Sequence, residues 1–277
     1  MSNKGTLFLI GGGEDKVGSP PDIMEYTSEF TRYELLRELI PHAKERTIEV
    51  ITSASKIQES IKNTYQKVFN KLGYEKIDFI PIADRTETNS TAYLKRVQEA
   101  GVIFFTGGNQ FRLSTILGGT PLINMIKDRY HTDADFLVAG TSAGAMVMSS
   151  VMMKTGGRTE ALIYNNLHTS SGFGLVPNYI IDTHFIKRGR FGRLAHAIIM
   201  NPEQLGLGLG EDTGLMIKPG NKAECLGSGM TVIIDGRQIG QTNIREAEEG
   251  EAIYVENLKV HLLVKGCHFL MDEVKFQ

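Results

Sequence analysis

Phe136-Leu-Val-Ala-Gly140-Thr141-Ser142-Ala143-Gly144-Ala-Met-Val-Met148 carries the strongest instruction in the chain. Phe136 to Ala139 are apolar and read as a buried strand running up to Gly140. Gly140 to Gly144 has the Gly-x-Ser-x-Gly form, and Ala145 to Met148 read as the start of a helix. A serine on a sharp strand-to-helix turn is a nucleophile elbow. The turn is strained, and side chains at the glycine positions would collide with neighbouring backbone. It lifts the Ser142 hydroxyl clear of the sheet. It also aims the Ala143 N–H at the space where an oxyanion would form. The plain alternative is a tight packing turn.

Working outward, the chain alternates strands and helices. Thr6–Ile10 is a buried strand followed by Gly11-Gly12-Gly13-Glu14. Thr27–Ile40 has helical spacing and is expected to stop before Pro41. Thr47–Thr52 is a second strand. Helix Ile57–Leu72, strand Ile77–Ile80, helix Thr91–Ala100 and strand Gly101–Phe105 follow. This pattern implies a mainly parallel sheet wrapped by helices. Ligands of such sheets sit at the carboxyl ends of the strands. The turns after Ile10, Thr52 and Phe105 would then share one rim with Ser142. Tyr179–Phe185 reads as a further strand with a histidine, His184, at its end, and Leu194–Met200 as a helix. Gly210-Glu-Asp-Thr213 is another glycine turn. The last 65 or so residues carry short alternating strands, Met230–Ile234 and Val260–Val264 among them. They read as antiparallel strands completing the same unit. No linker interrupts residues 1–277, so one domain is expected.

Composition excludes several function classes. The 277 residues are 41% hydrophobic and 22% charged, with a net charge of −2. Such a balance offers no global field for nucleic acid or an anionic membrane. No apolar run approaches the roughly 20 residues of a membrane span, and the start of the chain lacks a signal-peptide core. Two distant cysteines, Cys225 and Cys267, suit a reducing cytoplasm and form no metal-type spacing. A phosphate-binding role for Gly11–Gly13 would need Gly-x-Gly-x-x-Gly or a Lys-Ser/Thr ending, and neither is present.

A serine needs a base. Of seven histidines, His184 is the best placed, at the end of an apolar strand among polar, glycine-rich neighbours. The base needs an acid to fix its tautomer. Asp182, two residues earlier and on the same strand face, competes with Glu160 in the polar loop after the elbow's helix. Gly108 can supply a second oxyanion amide, and Gln110 a donor to oxyanion or substrate. The turn at Thr106–Gln110 could equally be a helix cap, with Asn109 as N-cap. Arg188, Arg190 and Arg193, beside His184, could converge on carboxylates.

Taken together, Ile10-Gly-Gly-Gly-Glu14, Phe105-Thr-Gly-Gly-Asn-Gln110, Gly140-Thr-Ser-Ala-Gly144, the loop through Glu160 and Asp182-Thr-His-Phe-x-x-Arg-x-Arg-x-x-Arg193 resemble the cyanophycinases. These belong to the serine peptidase family that also contains aspartyl dipeptidase (peptidase E). The resemblance implies a flavodoxin-like fold related to the class I glutamine amidotransferase domain. It implies Ser142 as nucleophile, His184 as base and Glu160 as the orienting acid. Gln110, Asp182, Arg188, Arg190 and Arg193 would bind substrate, with Ala143 and Gly108 holding the oxyanion. The substrate would be cyanophycin, a poly-aspartate with arginine joined through each β-carboxylate, released as β-aspartyl-arginine dipeptides. No metal or organic cofactor is implied, and a homodimer is. Gly210-Glu-Asp-Thr-Gly214 departs from the Asp-Glu-Asn-Thr-like turn expected of relatives. The rival readings are an aspartyl or isoaspartyl dipeptidase, a non-catalytic binding module of the same fold, and a nucleotide-binding protein using Gly11–Gly13.

Overall fold

In the computed structural model, residues 3–18, 30–156 and 162–276 are described. The strands in chain order are β1 (Thr6–Ile10), β2 (Ile48–Ile51), β3 (Ile77–Ile80), β4 (Val102–Phe105), β5 (Leu137–Thr141), β6 (Val151–Gly156), β7 (Leu167–Ser171) and β8 (Tyr179–Thr183). They continue as β9 (Leu205–Leu209), β10 (Thr213–Lys218), β11 (Lys222–Gly227), β12 (Thr231–Asp235), β13 (Lys259–Leu263), β14 (His268–Leu270) and β15 (Lys275–Phe276). The main sheet has the order β15-β14-β11-β10-β1-β5-β4-β2-β3. Its β1, β5, β4, β2 and β3 run parallel, as the alternating strand–helix pattern predicts. From β10 outward the pairing turns antiparallel. A second sheet has the order β13-β12-β9-β8, and β6 with β7 makes a separate pair.

The parallel strands are largely apolar because both faces of the sheet are covered, with Glu49 of β2 and Asp78 of the edge strand β3 as charged exceptions. In β1 the side chains alternate between two cores. Phe8 and Ile10 pack with Val50, Phe69 and Phe104. That side is capped by helices α1 (Glu34–Arg37), α2 (Leu39–Ala43) and α3 (Gln58–Lys71). Leu7 and Leu9 pack with Ile103, Phe105 and Val138 on the opposite side. There lie α4 (Thr91–Glu99), α5 (Gln110–Leu117), α6 (Pro121–Thr132), α7 (Ala143–Met146), α8 (Phe191–Met200) and the second sheet. Each fully buried Phe or Leu contributes about 1.5–3 kcal/mol, so the two layers, not helix propensity, fix the sheet.

The helix expected at Thr27–Ile40 is instead two short ones, and residues 27–29 of that expectation lie outside the described residues. The α2 helix runs through Pro41. Proline is its third residue, where the backbone N–H has no helical acceptor to lose. No described helix is long and apolar enough to cross a membrane.

Candidate active site

Ser142 follows β5 with φ 53° and ψ −114°, a conformation rarely adopted by a residue with a side chain. The turn is tight enough that a Cβ on Gly140 would fall 2.3 Å from the Gly144 carbonyl oxygen, and one on Gly144 2.2 Å from that of Phe105. Beneath the turn, Thr141 Oγ1 donates to the buried carboxylate of Glu14 at 2.7 Å. Tyr65 donates to the same carboxylate at 2.7 Å, and Lys16 pairs with it at 2.8 Å. Burial would push this carboxyl up, but Lys16 and the two hydroxyls hold it below the usual range. Glu14 is therefore an anionic prop under the elbow.

The end of β1 gathers the site. Three consecutive carbonyls there each accept one backbone amide. Ile10 accepts from Ser142 at 2.9 Å, Gly11 from His184 at 2.8 Å and Gly12 from Asp212 at 2.9 Å. A Cβ on Gly12 would lie 2.5 Å from the His184 imidazole, so the ring rests directly on the glycine backbone. This is why three glycines follow the first strand: they let one backbone segment touch three loops at once.

On this platform the Ser142 hydroxyl lies 3.0 Å from His184 Nε2. His184 Nδ1 lies 2.7 Å from Glu211 Oε1. A carboxylate can only accept, so the proton sits on Nδ1 and Nε2 faces the serine as a base. The far oxygen of Glu211 receives Lys187 Nζ at 2.8 Å. Burial would raise the Glu211 carboxyl, yet the hydrogen bonds from Lys187 and His184 hold it below its ordinary value. His184 is lowered chiefly by burial. Glu211 pulls it back up, and the charges of Arg188 and Arg190 push it further down. The imidazole is thus neutral at physiological pH. A measurable consequence follows: kcat/KM should fall on the acid side with a midpoint below 6.5, as His184 takes up a proton. Arg188→Ala should move that midpoint upward, because it removes a charge that disfavours imidazolium. A pH–rate profile of the two proteins reads both.

Among the described residues the acid beside His184 is Glu211, which corrects the alternative expectation of Asp182. Glu160 lies outside the described residues. Asp182 is fully buried and faces away from the imidazole. Its carboxylate accepts from Arg190 at 3.0 Å, from Arg193 Nε at 2.5 Å and again from the Arg193 fork. The Thr183 amide adds a fourth bond at 2.8 Å. The period-two argument failed for a local reason. The β8 strand ends at Thr183, and His184 takes φ 49°, which breaks the alternation of faces. The convergence of Arg190 and Arg193 on a carboxylate is internal to the protein. Burial lowers Arg190 to about 10, still charged at neutral pH. Of the three arginines only Arg188 is exposed.

Glu211 lies in the crossover between β9 of the second sheet and β10 of the main sheet. Ser142 comes from the main sheet and His184 from the end of β8 in the second, so the site sits on the seam between them. The clue in the sequence was an acidic residue inside a glycine turn at a strand end, the same context that places Glu14. Gln110 donates to the carbonyls of Met153 at 3.0 Å and Lys154 at 3.3 Å, and so ties α5 to β6. Asn109 caps α5 by accepting from the Arg112 amide at 2.8 Å. The cap and the site are thus parts of one turn. The amides of Ala143 and Gly108 meet no acceptor among the described residues. Gly107, beside Gly108, is packed so close that a Cβ there would be 3.3 Å from that of Ser142.

The sequence model of peptidase family S51 matches residues 18–225. The curated cyanophycinase of Trichormus variabilis is 32% identical over 271 residues, which is 97% of this chain and 86% of that protein. The cyanophycinase of Synechococcus elongatus is 31% identical over 269 residues, 97% of this chain and 80% of that protein. Among solved structures, a peptidase from an acI-B1 Actinobacterium superposes with a TM-score of 0.67 at 21% identity, covering 98% of each chain. A putative peptidase E protein from Listeria monocytogenes gives 0.50 at 18% identity, covering 81% of this chain and 99% of that one. At these identities the structural matches speak to the fold alone.

Proposed function

This chain belongs to peptidase family S51 and is a serine-type peptidase, and we propose that it is a cyanophycinase releasing β-Asp-Arg dipeptides through an acyl-enzyme on Ser142. The observation that carries the chemistry is the run of contacts from Ser142 Oγ through His184 to Glu211. His184 Nε2 takes the serine proton as Oγ attacks an aspartyl carbonyl. The tetrahedral oxyanion is held by the Ala143 and Gly108 amides. His184 then gives its proton to the leaving amine, which departs as part of the dipeptide. Water, deprotonated by the same imidazole, clears the ester and restores Ser142. Glu211 stays ionised throughout and stabilises the imidazolium.

The choice of polymer over dipeptide rests on the cyanophycinases to which this chain is similar, covered over nearly all of its length. It does not rest on Arg190 and Arg193, whose guanidiniums close on Asp182. Arg188, exposed beside His184, is the arginine available to a carboxylate of the substrate. Supplying purified protein with cyanophycin and, in parallel, with Asp-x and β-aspartyl dipeptides tests the reading. β-Asp-Arg should accumulate from the polymer. Hydrolysis of the dipeptides alone would make the chain a dipeptidase of the same family.

A further inference from the structure

On the side of Ser142 away from the base, a hollow of about 560 Å³ opens at the carboxyl ends of β2, β3 and β4. Its wall includes Lys56, Ala83, Gly108, Phe111 and Arg112. No carboxylate lines it among the described residues. Lys56 is exposed. Arg112 donates from Nε to the Ser53 carbonyl at 3.1 Å and from one terminal nitrogen to that of Ala83 at 3.5 Å. Those two carbonyls hold the guanidinium in place without neutralising it. Among the described residues, neither Lys56 nor Arg112 has a carboxylate partner. Lys154 Nζ stands 4.1 Å from the centre of the Phe111 ring and adds a third cation at the edge. Gly108, one of the two residues proposed to hold the oxyanion, borders the hollow.

Sheet order says which half of a substrate meets this wall. The β5 strand, which carries Ser142, lies between β1 and β4. His184 rests on Gly12, just past β1. The leaving amine must approach His184 to receive its proton, so the leaving half occupies the β1 side. The acyl half then extends over β4 and β2, into the hollow.

We propose that this hollow receives a free carboxylate carried by the acyl half of the substrate, with Lys56 and Arg112 as its counter-charges. The identity of that group rests on the polymer reading. In cyanophycin it is the α-carboxylate of the arginine attached to the aspartate that Ser142 attacks. A carboxylate desolvated against a held guanidinium and a mobile ammonium gains both charge and geometry.

The test uses a synthetic trimer of β-Asp-Arg units and the same trimer with only the acyl-side arginine carboxylate converted to its methylamide. The protein is compared with Lys56→Glu, a change at an exposed side chain, and with Arg112→Gln. Lys56→Glu should raise KM for the free-acid trimer roughly tenfold with kcat within about threefold, the size of one well-placed charge contact. On the methylamide the parent should show a similarly raised KM, and Lys56→Glu should add no further loss. An unchanged KM on the free acid, or an equal effect on both trimers, overturns the pocket while leaving the cyanophycinase reading intact. A parent that cleaves Asp-x dipeptides but neither trimer nor cyanophycin overturns the polymer reading, and with it the group assigned here.

Discussion

Ser142→Ala is expected to lower kcat by about 10⁶ while leaving the protein folded. The alanine removes one oxygen and no packing atom. The elbow's backbone is held by contacts the substitution does not touch: the Ile10 carbonyl on the residue-142 amide and the Glu14 carboxylate on Thr141. Among the described residues the lost hydroxyl has one partner, His184 Nε2. Such a bond contributes about 1 kcal/mol, so the thermal midpoint should move by only a few degrees. In a peptidase using Ser142, the loss of the nucleophile leaves only what the oxyanion amides and substrate binding achieve with water as the attacker. Dipeptide release from cyanophycin, measured beside a thermal melt, separates the two effects. A variant that keeps even a hundredth of the parent rate while folding normally would mean that Ser142 is not the nucleophile.

How much of this was legible in the sequence varies from element to element. Strands β1 and β3 have the bounds that the sequence suggests: β1 is buried along its whole length and leaves a nearly unbroken apolar signature, whereas the edge strand β3 is legible from three apolar residues around the exposed Asp78. The shared rim followed from the same pattern: parallel strands end on one edge, and their turns must meet there. The α6 helix carries Thr120 as N-cap and Pro121 at its first position, a start signal that the reading of the sequence passed over. The division of the C-terminal strands was out of reach. Nothing in Leu205–Leu209 or Thr213–Lys218 marks the first for the second sheet and the other for the main one. Strand pairing is a tertiary choice, and local periodicity does not encode the partner.

The site divided along the same line. Ser142 and His184 could be named because each has a local cue, a glycine elbow and a strand end. The acid has a weaker cue, a glycine turn at a strand end, which does not by itself say what the carboxylate faces. Its identity depends on where the imidazole points, and that is set by a positive φ at His184 and by the glycine platform beneath it. Asp182 looked suitable only while β8 was taken to continue through His184. Once the strand stops at Thr183, the carboxylate turns toward the start of α8, and the imidazole turns across the seam to Glu211.

Replacing Glu211 by Gln is expected to cut kcat by about 10⁴ with little change in KM. The substitution is nearly isosteric, so the loss is chemical. An amide can turn its NH₂ toward Nδ1, which then becomes the acceptor and leaves the proton on Nε2. In that tautomer the ring cannot take the Ser142 proton, and the imidazolium formed in the transition state lacks its counter-charge. The amide also gives up the ion pair with Lys187. Because Glu211 raises the His184 pKa, what activity remains should have its acid limb displaced to still lower pH. Asp182→Asn should behave differently. It leaves Arg190 and Arg193, both largely buried, facing a neutral group, a disruption on the order of 3–5 kcal/mol. Its signature is a lowered melting temperature and a smaller yield of folded protein, while the kcat of the folded fraction falls far less than 10⁴. Rates normalised to titrated active sites, taken with thermal melts, distinguish the two. If Asp182→Asn lost four decades of kcat at an unchanged melting temperature, and Glu211→Gln did not, the orienting acid would have to be reassigned to Asp182. The hydrogen bonds argue against that outcome, because all four contacts on Asp182 point into the protein and none reaches the ring.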